Sequence, residues 1–165
     1  MGGNLVIGFV TMAVCLAIQC LIVGAMLDGL VFLEKRGMIR HTLIGVSSLL
    51  VSSMLIMLAG NLIQITLWAG LFFAYGEFAD FATAFYHSVV NFSTLGYGDL
   101  VMSPHRRLLG ALEAANGVLM FGLTSGFLYT ILSGLLERYW DEQLGHDDEA
   151  HGAFKPDKAF NPAAV

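Results

Sequence analysis

The chain has 165 residues, of which 56% are hydrophobic and 13% are charged, and its mean hydropathy is +0.71. These values exclude an ordinary water-soluble globule, in which about 25% of residues carry a charge. The formal net charge of -5 comes mainly from acidic residues near the C-terminal end, so it says little about the apolar remainder. The sequence therefore predicts a protein whose main solvent is lipid.

Three apolar stretches are long enough to cross a membrane as helices, because a hydrocarbon core about 30 Å thick needs about 20 helical residues. They are predicted at 1–34, 42–75 and 106–136. The short loop between the first two, 35–41, is rich in basic residues, and the positive-inside rule places it in the cytoplasm. The N-terminus is then predicted outside, and the acidic tail, 137–165, in the cytoplasm.

The segment between the second and third helices is too short to cross twice, yet its centre is apolar and aromatic. We predict that it enters and leaves the membrane on the same side, with a pore helix at 80–92 that Asp80 caps. Non-helical backbone at membrane depth is tolerated where it lines a water-filled cavity. A re-entrant loop therefore predicts a pore, and one loop per chain predicts several chains around it.

The turn-rich run at 94–99, Thr-Leu-Gly-Tyr-Gly-Asp, is predicted to be an ion selectivity filter. A dehydrated K+ ion needs a cage of oxygens, which stacked rings of backbone carbonyls from symmetry-related chains supply. Gly96 and Gly98 permit the alternating left- and right-handed backbone that turns successive carbonyls toward one axis. The predicted K+-binding residues are Thr94, Leu95, Gly96, Tyr97 and Gly98.

This run resembles the signature of the potassium-channel pore-loop family, and the likeness covers roughly residues 50–136. The extra helix before a two-helix pore is similar to small bacterial channels of that kind. The resemblance implies an all-α membrane protein with three transmembrane helices, a re-entrant pore helix and a selectivity filter, assembled as a homotetramer. It implies passive, selective permeation of K+ across a cell membrane, either a bacterial inner membrane or a plasma membrane.

The resemblance also implies roles in the inner helix, where Gly117 takes the place of a hinge glycine. Val118, Phe121 and Ser125 would line the cavity below the filter. Their separations of three, four and seven residues place them on one helix face, which agrees with that assignment.

Two residues are expected to support the outer end of the filter. Asp99 follows the filter directly, where it either concentrates cations or braces the loop through a donor on the pore helix. By family position, His87 is the nearest candidate donor, and its titration would couple such a brace to external pH.

Glu113 lies in the third helix, where an ionisable residue usually faces protein or water. About 140° of helical rotation separates it from Val118, so it is predicted to face the pore helix. Two alternatives stay open for its partner. It bonds the pore helix as a strut, or it pairs with a basic residue at the start of its own helix; the candidates are Ser88 and Asn91 for the strut, and Arg106 and Arg107 for the pair.

No nucleophile and base pair, phosphate loop or metal-ligand cluster is recognisable, so we expect neither an enzyme nor an organic cofactor. The expected partners are further copies of the chain and membrane lipid, without nucleic acid, and the sequence indicates no gating ligand. Two alternatives to a K+-selective channel stay open. One is a weakly selective cation channel, which the departures at Leu95 and His87 allow, and the other is a non-conducting regulatory membrane subunit with a pore-like fold.

Overall fold

The structure is a computed structural model that describes residues 2–36 and 43–151 of the chain. Within these ranges the chain forms four helices and no strand. The helices are α1 (Gly2–Lys35), α2 (Leu43–Ala74), α3 (Phe81–Phe92) and α4 (Arg107–His151). Most of the predicted basic loop and the last part of the predicted acidic tail lie outside the described residues.

Three of the helices, α1, α2 and α4, are long and apolar enough to cross a membrane. The predicted all-helical class with three membrane-length helices is therefore confirmed. The fourth helix, α3, lies between α2 and α4 in the chain and contacts both of them. Within the described residues, α1 packs on α2 and α4 but not on α3.

Helix α4 is longer than predicted, because the sequence places its end at 136 and the structure continues it to His151. The predicted end marks the loss of apolar character, which stops a membrane span but does not stop a helix. Residues 137–151 include helix formers such as Glu, Gln, Leu and Ala, and the first proline after them is Pro156. At 1.5 Å per residue, this extension adds about 22 Å to the helix.

The start of α1 lies beside the start of α4, where the Asn4 side chain donates to the His105 carbonyl at 2.6 Å. Halfway along the bundle, the buried side chain of Gln19 joins α1 to both of its neighbours. It donates to the Thr124 hydroxyl at 3.2 Å and accepts from the Gln64 amide at 2.8 Å. Such interhelical hydrogen bonds fix the register of helices that have no hydrophobic drive to associate in lipid.

Helix α3 packs on a face of α4 that has glycine at two positions. A Cβ added to Gly117 would lie 2.8 Å from the Phe92 carbonyl carbon and closer still to its oxygen. A Cβ on Gly110 would lie 3.0 Å from the Asn91 amide nitrogen. One Cα hydrogen of Gly117 therefore points at the Phe92 carbonyl, a weak hydrogen-bond geometry that recurs between packed helices. The structure thus shows Gly117, the expected hinge, as a site of close backbone packing.

Replacement of Gly117 by alanine is expected to lower the stability of the protein, because the obstacle to the new methyl group is backbone. Overpacking of this kind costs about 1–3 kcal/mol, against a gain of about 1 kcal/mol in helix propensity. The measurement is the melting temperature of the detergent-solubilised protein. Gly134→Ala is the matched control in the same helix, since nothing lies within 4 Å of a Cβ there. Equal melting temperatures for the two variants would contradict the close contact.

Candidate functional site

Helix α3 begins where the sequence predicts, because Asp80 caps it. The Asp80 backbone is extended, with φ -140° and ψ 160°, and its carboxylate accepts hydrogen bonds from the Thr83 amide and hydroxyl, both at 2.8 Å. This arrangement satisfies a backbone donor that the first helical turn would otherwise leave free. The helix has 12 residues, which is about 18 Å of length.

The backbone after α3 alternates in handedness over the predicted filter. Thr94, Gly96 and Gly98 have φ values of 60°, 56° and 74°, all in the left-handed region. The two glycines adopt this region freely, as the sequence predicts. Thr94 was not expected to do so, because a β-branched residue there is a genuine outlier. Alternation at every second residue is the pattern that turns successive carbonyls toward one side of the chain.

Hydrogen bonds from the last turn of α3 hold the start of this segment. The Thr94 amide donates to the Asn91 carbonyl at 2.8 Å. The amides of Leu95 and Gly96 both donate to the Val90 carbonyl, at 2.9 and 3.3 Å. The end of the helix therefore fixes the left-handed turn at Thr94. The conformational preference of threonine alone does not indicate this turn.

The partner of Asp99 is Tyr86, which the sequence analysis did not single out. The Tyr86 hydroxyl donates to the Asp99 carboxylate at 2.9 Å. The expected donor, His87, is 6% exposed and accepts from the Asn91 amide at 2.8 Å. Adjacent helical residues differ by about 100° in direction, so Tyr86 reaches Asp99, whereas His87 bonds the backbone of Leu100, the residue after Asp99. The signal in the sequence was Tyr86 itself, a long side chain on the pore helix with a hydroxyl donor at its end.

Glu113 is fully buried and contacts α3 through Ser88. The Ser88 hydroxyl lies within hydrogen-bonding distance of the Glu113 carboxyl group and, at 3.0 Å, of the Ile65 carbonyl. Of the two alternatives from the sequence, the structure shows the strut. The contact links α4, α3 and α2 at one point.

The comparison with known families decides the class of protein. Residues 58–133 match a family described as "Ion channel". Over this segment the chain is similar to that family. The match runs from the middle of α2 through α3 and the alternating backbone into α4, and it leaves α1 outside. No curated protein and no solved structure matches the chain.

The family match supports ion-channel function, and the three apolar helices indicate a membrane protein. In the channel, the inner-helix residues carried over from the resemblance lie on an open face of α4. Val118 is 57% exposed and Phe121 is 40% exposed, and Ser125 is exposed as well. The Phe121 ring also packs edge-on against Phe92 at 5.7 Å, so this face begins directly below the end of α3.

A polar cluster joins the end of α2 to the start of α4 in the channel, and the sequence analysis did not find it. The Glu77 carboxylate accepts from the Ser103 amide at 2.8 Å and from the Ser103 hydroxyl at 2.9 Å. The Arg106 guanidinium pairs with Glu77 at 3.2 Å and lies 4.4 Å from the centre of the Tyr75 ring. Burial acts to raise the pKa of Glu77, but the Ser103 hydrogen bonds and Arg106 together hold it below its usual value.

The lowered pKa of Glu77 predicts how acid weakens the channel. The ionised form stabilises the fold fully above the ordinary glutamate pKa, and this contribution is lost as the pH falls through the lower folded-state pKa. At neutral pH, Glu77→Gln is expected to cost about 1.5–3 kcal/mol, the range for hydrogen bonds to charged groups. Melting temperatures of both proteins across acidic pH values should converge. A gap that stays constant with pH would contradict the role of the charge.

The hydrogen bond between Tyr86 and Asp99 predicts a coupling that a double-mutant cycle measures. Tyr86→Phe and Asp99→Asn each remove or weaken the same bond, so the second substitution should cost little once the first is made. The measurement is the melting temperature of the two single variants and the double variant. Additive losses would show that the two residues act separately.

Proposed function

We propose that this chain is a subunit of a K+-selective channel in which four copies surround one pore and K+ passes down its electrochemical gradient. The observation that carries the proposal is the left-handed backbone at Thr94, Gly96 and Gly98, placed directly after a capped short helix. Alternation at this spacing lets one strand of chain present a column of carbonyl oxygens. A stacked column of such rings is what replaces the water around K+.

The lengths of the helices support a re-entrant path for this segment. Helix α3 is about 18 Å long, whereas a hydrocarbon core is about 30 Å thick. Glu77 and Arg106 form an ion pair, so the chain leaves α2 and enters α4 at neighbouring points. A segment whose two ends are held together enters and leaves the membrane on one side.

The exposed residues of the single chain support assembly with further copies. Leu95 is 54% exposed and Tyr97 is 66% exposed in the single chain. Lipid cannot cover this exposed surface, because the unpaired backbone carbonyls beside these side chains cannot face hydrocarbon. Copies arranged around an axis would cover both side chains and enclose the carbonyls, with Val118, Phe121 and Ser125 lining the cavity below.

The same geometry supports an orientation for the channel. The start of α1 lies beside the start of α4, at the end of the bundle that holds the filter. The basic loop follows α1 at the opposite end and is expected in the cytoplasm. The filter and the N-terminus would therefore face outside. Arg106, whose charge opposes this orientation, is neutralised by Glu77.

Ion flux into liposomes that contain only the purified protein tests the proposal. Under matched gradients, K+ flux should exceed Na+ flux roughly tenfold or more, a difference of about 1.4 kcal/mol in the barrier. Equal fluxes would favour the weakly selective cation channel. No flux of either ion would favour the non-conducting subunit, and both of these results overturn the proposal.

Gly96→Ala is expected to abolish the preference for K+, because a side chain at φ 56° strains the alternating backbone. Gly76→Ala is the matched control, since Gly76 also has a positive φ, 69°, but lies in the turn after α2. Both variants carry a similar backbone penalty, so only Gly96→Ala should change the ratio of K+ to Na+ flux. Equal changes in the two variants would show that general destabilisation is the cause.

A further inference from the structure

Three oxygen atoms form a hydrogen-bonded series across the helices that surround the filter segment. They belong to the Glu113 carboxyl group, the Ser88 hydroxyl and the Ile65 backbone carbonyl. Glu113 and Ser88 are both fully buried, so no solvent competes for these contacts. This hydrogen-bonded series starts on α4, passes through α3 and ends on α2.

The number of protons in this hydrogen-bonded series determines which group donates. Two oxygen-to-oxygen contacts need two protons, because oxygens at this distance repel each other without one between them. The Ile65 carbonyl carries no proton, and the Ser88 hydroxyl carries one. Ser88 must therefore donate to Ile65, since a carbonyl can only accept. The proton between Ser88 and Glu113 then has to come from Glu113.

The charges around Glu113 give an independent argument for the same state. Helix α2 contains no Asp, Glu, Lys, Arg or His. On α3, the ionisable side chains are Tyr86, which bonds Asp99, and His87, which bonds Asn91. The nearest ionisable neighbour from α1 is the thiol of Cys15. None of these groups supplies a cation, and a buried carboxylate without one is very costly.

The basic residues at the start of α4 do not supply a cation either. Arg106 is paired with Glu77, and Arg107 is exposed, with its side chain donating to the Pro104 carbonyl at 3.4 Å. The second carboxyl oxygen of Glu113 is buried, and the neutral Asn91 amide is the one donor close to it among the described residues, without complete hydrogen-bond geometry. An unpaired oxygen is tolerated far better on a neutral carboxyl group than on a carboxylate.

We propose that Glu113 is a neutral carboxylic acid that donates its proton to Ser88, and that it acts as a positioning residue for the filter. Its effect passes through α3. Ser88 precedes Val90 by two residues, and the Val90 carbonyl accepts from the amides of Leu95 and Gly96. A shift of α3 against α4 would therefore move the filter backbone. The positioning role rests on the proposed K+-channel function, whereas the protonation state does not.

Infrared difference spectroscopy of the full-length protein at neutral pH tests the protonation state. The spectrum of the wild type minus that of Glu113→Gln should contain the carbonyl band of a protonated carboxylic acid, shifted in deuterated water. Glu77→Gln is the matched control, because Glu77 is an ionised glutamate and its removal should change only carboxylate bands. A Glu113 difference spectrum that contains only carboxylate bands would overturn the proposal.

Ion selectivity in liposomes tests the positioning role. Glu113→Gln keeps a neutral donor and should keep the wild-type ratio of K+ to Na+ flux. Glu113→Ala and Ser88→Ala each remove one member of the hydrogen-bonded series and should lower that ratio roughly tenfold. If Glu113→Gln lowers the ratio as much as Glu113→Ala, a negative charge is required and the proposal fails.

The two measurements separate this inference from the proposed function. A wild type that carries no K+ would overturn the proposed function, while the infrared band would still report the state of Glu113. A selective wild type without that band would overturn the inference alone. Glu113→Gln needs no new packing, so the infrared test holds even if the alanine variants fail to fold.

Discussion

The close packing of α3 on α4 positions the segment that we propose as the filter. Three positions of α4, Gly110, Glu113 and Gly117, lie on one helix face and meet α3 at Asn91, Ser88 and Phe92. The two glycines bring the backbones together, and the glutamate between them adds a buried hydrogen bond. Because helices gain no hydrophobic energy by associating in lipid, such close contacts and polar bonds set their positions. Helix α3 is too short to be held by the membrane itself, so its contacts with α2 and α4 hold it.

The same reasoning gives α1 a structural role in the bundle, although the family match does not include it. Gln19 bonds to Gln64 on α2 and to Thr124 on α4 within the apolar interior. A side-chain amide in this position is costly unless it is paired, so the three helices are held in one register. This contact lies deeper in the bundle than the contact of α3 with α4. The pore segment therefore rests on helices that are already fixed to each other.

Much of this architecture follows from local signals, and the remainder depends on geometry between helices. Apolar length predicts α1, α2 and α4, and Asp80 predicts the start of α3, because each signal acts within its own segment. The choice of Tyr86 over His87 depends on the rotation of α3, which the sequence leaves open. The tight fit at Gly117 depends on where Phe92 lies, so family position alone indicated flexibility there. The end of α4 was misplaced because apolar character and helix propensity end at different residues.

The conformation of the filter segment requires support from outside the segment. Thr94 in the left-handed region is strained, and strain of this kind persists only where the surroundings over-determine it. Part of that support comes from the Asn91 and Val90 carbonyls at the end of α3. The chain covers the inner end of the segment in this way but leaves Leu95 and Tyr97 exposed. A strained backbone beside exposed side chains is the observation on which the proposed assembly of several copies rests.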